Sequence, residues 1–336
     1  MKPLSSKKRE RGRNAFLLTV LFAAAVILSI YFWNRNSAEK EPYRILFVPK
    51  VIDEQNDFWK ALIEGAQAGA KEYGAELILE AADAEDNHRM QAEILYRAIE
   101  DRPDIVILAP TSYTQVTEAA KAVTESGIPL ILVDSRLDED ISRSVIATDN
   151  IEAGQKMAEC IADNLPENPV IGIVAHVEGA STAIEREEGL RRGLSRYADK
   201  IVGTVFSNSD YEQGYQVTKE LLQEHPDINV LAGLNEYSAV GAARAVRDLE
   251  LTDQICMVGF DSSLEEIQLL ESGVFEGIVV QKPFNMGYLS VETAVSVLQG
   301  KKVPESIDSG SQAVTKETMY SEENQKLLFL FRETQN

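Results

Sequence analysis

Short apolar runs alternate along this chain with longer stretches in which apolar residues recur every three or four positions. Ten runs read as strands: 43–49, 76–80, 104–108, 129–133, 143–147, 169–175, 200–206, 228–233, 255–260 and 277–281. They are near-continuous Val, Ile, Leu and Ala rather than alternating apolar and polar, as in strands covered on both faces. Amphipathic segments of helix length lie between most of them, such as 57–73, 114–126, 210–224 and 284–299. Asp149-Asn150 and Ser209-Asp210 stand where helix caps are expected. Repeated strand–helix–strand units predict α/β architecture, with parallel sheets and right-handed crossovers. The series divides near Asp149 into two halves, each the size of one doubly wound lobe, with no long linker between them. The pattern therefore predicts two lobes packed around a cleft, a preferred place for a small-molecule site.

Polar residues recur just past the carboxyl ends of these runs. PLILVD ends on Asp134, NVLAGLN on Asn235, ICMVGFD on Asp261 and GIVVQ on Gln281. In open parallel sheets ligands sit beyond the carboxyl ends of the strands, so four such side chains can converge on one small polar molecule.

The N-terminus departs from this pattern. Ala15–Trp33 is a run of 19 residues without a charge, preceded by Lys2, Lys7, Lys8, Arg9, Arg11 and Arg13 against Glu10 alone. At about 1.5 Å per residue it spans a bilayer core, and the basic flank predicts a cytoplasmic start. The segment after it, Asn34-Arg35-Asn36-Ser37-Ala38, is a poor cleavage site, and no Cys offers a lipid attachment point. The expectation is a basic cytoplasmic tail at 1–13, an uncleaved single-pass anchor at 14–33, a polar linker at 34–42 and an extracytoplasmic body.

That body is acidic. The whole chain carries a formal net charge of -21, and beyond residue 33 there are 27 basic against 53 acidic residues. Such a charge repels nucleic acid and argues against an acidic ligand unless a local Arg overrides the field. Cys160 and Cys256 are too few for a disulfide framework and are expected to be buried free thiols. His88, His176 and His225 lack metal-ligand spacing and are expected on the surface or in loops. The chain has no G-x-x-x-x-G-K-[ST] loop, no G-x-G-x-x-G after the first strand and no nucleophile elbow. Neither a cofactor nor an enzyme activity is indicated.

Several motifs recur in order over some four-fifths of the chain: Gln55-Asn56-Asp57-Phe58-Trp59, Leu132-Val133-Asp134-Ser135-Arg136, Ala147-Thr148-Asp149-Asn150, Ser181-Thr182-Ala183-Ile184-Glu185-Arg186, Ser209-Asp210-Tyr211, Asn235-Glu236, Val258-Gly259-Phe260-Asp261, and Gln281 with Pro283 and Gly287. Together they resemble the type I periplasmic sugar-binding proteins, nearest the ribose-binding branch. The resemblance implies two lobes joined by three crossings, near 149–150, 282–283 and 309–311. Lobe 1 would comprise 43–148 plus 283–309, and lobe 2 149–282 plus 310–336. It implies that Asn56, Asp134, Arg186, Asn235, Asp261 and Gln281 hydrogen-bond sugar hydroxyls, and that Phe58, Trp59 and Tyr211 cover the ring.

Plainer roles stand beside these. Asp261 could cap a following helix, Phe58 and Trp59 could be core, Arg186 could pair with Glu187 or Glu188, and Tyr211 could be a staple. The apolar run 327–331 could be core or a docking patch. Asp149-Asn150 reads as hinge and cap. Departures from the ribose branch, with Asp57 for Pro, Ser135 after Asp134 and Ile184 for Arg, leave the expected ligand as a neutral monosaccharide, a pentose or similar. The membrane partner would be an ABC transporter permease or, alternatively, a sensor histidine kinase for which this chain is the sugar co-receptor.

Overall fold

The computed structural model describes residues 41–329. Twelve strands form two six-stranded sheets. The first contains β1 (Arg44–Val48), β2 (Glu76–Leu79), β3 (Ile105–Leu108), β4 (Leu130–Val133), β5 (Ser144–Ala147) and β11 (Ser306–Asp308), in the order β11-β5-β4-β3-β1-β2. The second contains β6 (Ile171–Ala175), β7 (Ile201–Phe206), β8 (Val230–Gly233), β9 (Cys256–Phe260), β10 (Gly277–Val280) and β12 (Gln312–Thr315), in the order β12-β10-β9-β8-β6-β7. Every pairing is parallel except β10 with β12. The ten expected strands are all present. The two that the pattern did not reveal, β11 and β12, are short edge strands with little apolar content.

The helices are α1 (Asp57–Tyr73), α2 (His88–Asp101), α3 (Thr117–Glu125), α4 (Asn150–Asp163), α5 (Ser181–Gly193), α6 (Tyr211–Glu224), α7 (Glu236–Asp248), α8 (Leu264–Ser272), α9 (Pro283–Leu298) and α10 (Glu322–Phe329). They cover both faces of each sheet, which is why strands such as IVIL and LILV are buried at every position. Asp149 caps α4 by accepting the Glu152 N–H, as expected.

The contact of α4 with α5 needs glycine on both sides. A Cβ on Gly189 of α5 would lie 2.1 Å from the Ile151 carbonyl oxygen, and one on Gly154 of α4 would lie 2.2 Å from that of Arg186. Without those methyl groups α4 and α5 touch backbone to backbone, which seats the Arg186 turn deep in the second lobe.

The chain passes between the sheets three times, and the three passages are tied together. The Thr148 hydroxyl donates to Gln281 Oε1 at 2.8 Å and lies 3.3 Å from the Ser309 hydroxyl, while Asp308 Oδ1 accepts from the backbone of Asp149 and Gly310. Leu328 of α10 is buried in the second lobe's core, with Leu327 and Phe329 packed beside it. Residues 327–329 of the apolar run therefore pack as core. Among the described residues no helix is long and apolar enough to cross a membrane; the expected anchor at 14–33 lies outside them, as do 330 and 331.

Candidate functional site

The two sheets meet with their carboxyl ends toward each other. Asp134 follows β4 and Asp261 follows β9, the same place in each sheet's order. Both aspartates have left-handed backbones, φ 65° and 89°. Their N–H groups bond to the neighbouring strand, Asp134 to Ile146 and Asp261 to Val279, both at 2.9 Å. Non-glycine residues held in this way cluster at ligand sites. The turn directs each carboxylate off the end of its sheet.

Around them is a cavity lined by Lys50, Asn56, Phe58, Trp59, Glu85, Asp134, His176, Thr182, Arg186, Asn235, Glu236, Tyr237, Asp261 and Gln281. Its free space is about 20 Å³, so the cleft is closed and a ligand reaches these groups by parting the two ends. Polar contacts between the lobes hold it shut. Tyr237 Oη donates to Asp53 at 2.7 Å, Ser209 Oγ to Glu85 at 2.9 Å, and Lys50 Nζ to Thr182 Oγ1 at 3.4 Å. Backbone N–H groups of Phe58, Leu264, Arg136 and Tyr113 reach Glu236, Asp57, Ser181 and the Gly179 carbonyl. A wider groove of about 750 Å³ runs beside α1 and α10 and borders the cavity at Phe58, Asp261 and Gln281. Its walls carry both charged residues, such as Lys60, Glu64 and Lys326, and apolar ones, such as Phe284 and Leu327.

Eight of the nine expected residues line the cavity. Asn56 caps α1 through the Trp59 N–H, and its side chain also bonds Tyr211. Asn235 caps α7 in the same way. Phe58 and Trp59 sit edge to face, ring centres 5.1 Å apart at 87°, so only one of them can lie flat on a given ligand face. Asp261 is not a helix cap; Ser263 caps α8 in a capping box with Glu266. Its oxygens instead accept from Gln281 Nε2 at 2.8 Å and the Glu236 N–H at 3.1 Å.

Arg186 is buried and pairs with neither Glu187 nor Glu188, which bind Arg191 and Arg192 one turn on. Its Nε donates to Asn150 and one terminal nitrogen to the Leu234 carbonyl, both at 2.8 Å, over the Phe260 ring. The other terminal nitrogen is left for a ligand. Tyr211 is the exception among the nine. It stands behind Glu236, donating to its Oε1 at 2.5 Å and packing on Tyr237, whose ring takes the place on the cavity wall.

Lys50, Glu85, Thr182, Glu236 and Tyr237 were not expected. Nor was His176, which is buried at the cavity rather than on the surface. Lys50 and His176 follow the rule that pointed to Asp134: they stand just past RILFV and IGIVA. Nothing in the sequence marks Glu85, whose Oε1 accepts the Trp59 indole N–H at 2.6 Å. His88 is half-buried and bonds Thr111. Both thiols are free, Cys160 buried but Cys256 only half-buried, and burial pushes them up to about 11 and about 12.

The electrostatics are those of a balanced site. Burial alone would raise the Asp134 carboxyl, but the charges of Lys50, whose Nζ is 2.9 Å away, and of Arg186 outweigh it and hold it below the usual carboxylate range. Burial raises Asp261 despite the Arg186 charge. Burial and the charge of Asp261 push Glu236 up to about 8, so it keeps its proton at neutral pH. Glu85 is raised by burial, and His176 is driven well below its ordinary value by burial and then by Arg186 and Lys50. Two cations thus face Asp134 and Asp261 with Glu85 beside them, and Asn56, Thr182, Asn235 and Gln281 add uncharged donors and acceptors. The cavity gathers charged and neutral hydrogen-bonding groups, with Thr182 and His176 bonded to each other among them, an arrangement that can hold a polar molecule.

Two parallel-sheet lobes closed end to end on such a cavity, with three tied crossings, define a hinged small-molecule-binding protein. Residues 45–302 match the periplasmic binding protein domain, and the chain belongs to that family, as the motifs implied. It is 26% identical over 274 residues to the ribose import binding protein of Bacillus subtilis, covering 82% of this chain and 88% of that one. A crystal structure of a sugar transporter from Clostridium phytofermentans is 42% identical, with a TM-score of 0.78 over 82% of this chain and 99% of that one. A solute-binding protein from Agrobacterium radiobacter, solved with D-arabinose, is 26% identical, with a TM-score of 0.81 over 86% of this chain and all of that one. The Bacillus subtilis and Agrobacterium radiobacter relatives are named as binding proteins for sugar import or transport, and the family to which this chain belongs is one of binding proteins, not enzymes.

Proposed function

We propose that this chain is an extracytoplasmic solute-binding protein that closes on a neutral monosaccharide, a pentose or similar, and presents it to an ABC-type sugar importer. The observation that carries this reading is the charge balance of the cavity. Lys50 and Arg186 are already matched by Asp134, Asp261 and Glu85, while Glu236 and His176 are neutral. An added negative charge would be buried without a partner, which costs several kcal/mol. A hydroxyl, which donates and accepts, suits a ring of charged acceptors, amide donors and an Arg fork. The face of one ring of the Phe58–Trp59 pair suits the C–H faces of a sugar ring. The names of the relatives, with ribose import and bound D-arabinose, support the same class.

In this reading lobe 1 is 43–148 plus 283–309 and lobe 2 is 149–282 plus the C-terminal segment. They turn about the three crossings, and the closed population rises when ligand bridges them. Residues 14–33 hold the body on the outer face of the membrane. The test is a thermal-shift screen of the full chain in detergent against ribose, allose, arabinose, xylose, glucose and galactose, with glucuronate and glucosamine as charged controls. A ligand at about 100 times its Kd adds about 2.7 kcal/mol. A shift with one neutral sugar and none with the charged pair is expected. A larger shift with either charged sugar refutes the reading.

A further inference from the structure

His176 carries a hydrogen-bonding group with no partner. Its side chain lines the cavity, is buried, and has Nε2 2.7 Å from the Thr182 hydroxyl; its Nδ1 bonds nothing. Which ring nitrogen holds the proton follows from counting donors. Lys50 Nζ is an ammonium and can only donate, and it lies 3.4 Å from Thr182 Oγ1. The Thr182 hydroxyl hydrogen therefore has one acceptor within reach, His176 Nε2. A neutral imidazole that accepts at Nε2 carries its hydrogen on Nδ1. The opposite arrangement leaves both the Thr182 O–H and Nδ1 unpaired, two buried orphans instead of one. Burial beside Arg186 and Lys50 keeps the ring neutral.

We propose that His176 is a specificity-determining residue that donates its Nδ1–H to an acceptor oxygen of the bound sugar, held in that role by Lys50 through Thr182. This rests on the sugar-binding reading above and adds to it a position on the ligand. The relay crosses the cleft. Lys50 follows β1 in the first lobe and is anchored by Asp134, while Thr182 and His176 belong to the second. Only closure brings Lys50 to Thr182, so the Nδ1–H is fixed as a donor in the state that encloses the ligand. A ligand lacking an oxygen there leaves this donor buried and unpaired, a loss of about 5- to 150-fold in affinity.

The experiment compares His176→Leu, His176→Asn and His176→Gln in the full chain, by calorimetric titration with D-ribose, D-allose and D-arabinose. The Asn amide nitrogen can take the place of Nδ1, whereas the Gln amide reaches the place of Nε2. Leu and Gln are expected to weaken binding about 10- to 100-fold and Asn to stay within about 5-fold of wild type. A monodeoxy series of the tightest-binding sugar should contain one position that costs wild type more than tenfold and His176→Leu less than twofold. Affinity of His176→Leu within twofold of wild type, or rescue by Gln and not by Asn, overturns the proposal. Should Leu not fold, the Asn–Gln comparison decides alone. If wild type binds none of the three sugars, the sugar-binding reading has failed for them, an outcome distinct from a variant that binds like wild type.

Discussion

Asp261→Asn is the sharpest perturbation of the cavity. The residue sits at φ 89°, where asparagine is tolerated and alanine is strained, so Asn changes the charge and leaves the turn intact. The two bonds that Asp261 accepts, from Gln281 Nε2 and the Glu236 N–H, cannot both be kept, because an amide has a single acceptor oxygen. Each lost bond of this kind costs about 1–3 kcal/mol. Against that, burial holds the carboxyl above its ordinary range, so the folded chain gains by losing the charge. The two effects oppose, and fold stability should change by less than about 2 kcal/mol. Binding has no such compensation. A ligand hydroxyl loses its charged acceptor and Arg186 loses its balancing charge, together about 2–4 kcal/mol, or a 30- to 700-fold rise in Kd. Calorimetric titration with the sugar that gives the largest thermal shift, alongside urea denaturation, reads both quantities. A Kd within threefold of wild type refutes the placement of Asp261 against the ligand.

Three further outcomes are expected. Trp59→Phe should remove any sugar-linked change in tryptophan fluorescence while Trp33 still emits; a change that persists would show that the indole held by Glu85 does not sense the ligand. Glu236 binds a proton in the folded chain up to pH about 8 but in the unfolded chain only near its ordinary 4.5, so its contribution is full below that lower value and is lost as pH rises. Stability should fall by up to about 1.4 kcal/mol per pH unit on its account between those limits, and Glu236→Gln should flatten that slope in urea melts from pH 5.5 to 8.5. Equal slopes for the two proteins would rule this out. Gly189→Ala would set a Cβ 2.1 Å from the Ile151 carbonyl oxygen, costing about 1–3 kcal/mol and lowering Tm by roughly 2–5 °C. Because α5 carries Arg186, binding should weaken with it; calorimetry showing an unchanged Tm would mean that α4 and α5 separate freely.

The fold was legible because its strands are buried on both faces and so appear as unbroken apolar runs. β11 and β12 escaped because edge strands of three and four residues, SID and QAVT, need no such run. The site was legible where it obeys one rule, a polar side chain just past a strand. Asp134, Asn235, Asp261 and Gln281 were found by it, and Lys50 and His176 satisfy it equally. His176 was set aside because a histidine without ligand spacing is usually at the surface, yet two cations and full burial keep this one neutral and inside. Tyr211 was expected from the family resemblance, which does not fix which of two stacked tyrosines lines the closed cavity. Glu85 and Glu236 were invisible because their position depends on the closed cleft, which brings Ser209 to one and the Phe58 N–H to the other.

That dependence explains how closure can answer to a ligand. Polar contacts carry much of the seam that holds the cleft shut, Tyr237 to Asp53, Ser209 to Glu85, Leu264 to Asp57 and Lys50 to Thr182, beside one apolar contact in which the Tyr237 ring joins the first lobe's core cluster with Phe58 and Trp59. Each polar contact exchanges a bond to water for a bond to protein, so each contributes about 1 kcal/mol net rather than the several that an apolar seam of the same extent would give. Burying Glu85 and Glu236 opposes closure further, as their raised proton affinities show. The open and closed states are thereby kept close in energy. A population shifted from mostly open to mostly closed needs about 5.5 kcal/mol of differential binding, within what a few charge-assisted bonds to Asp134, Arg186 and Asp261 can supply at about 1.5–3 kcal/mol each. An apolar seam would hold the lobes together whether or not sugar was present; the polar one leaves the decision to the ligand.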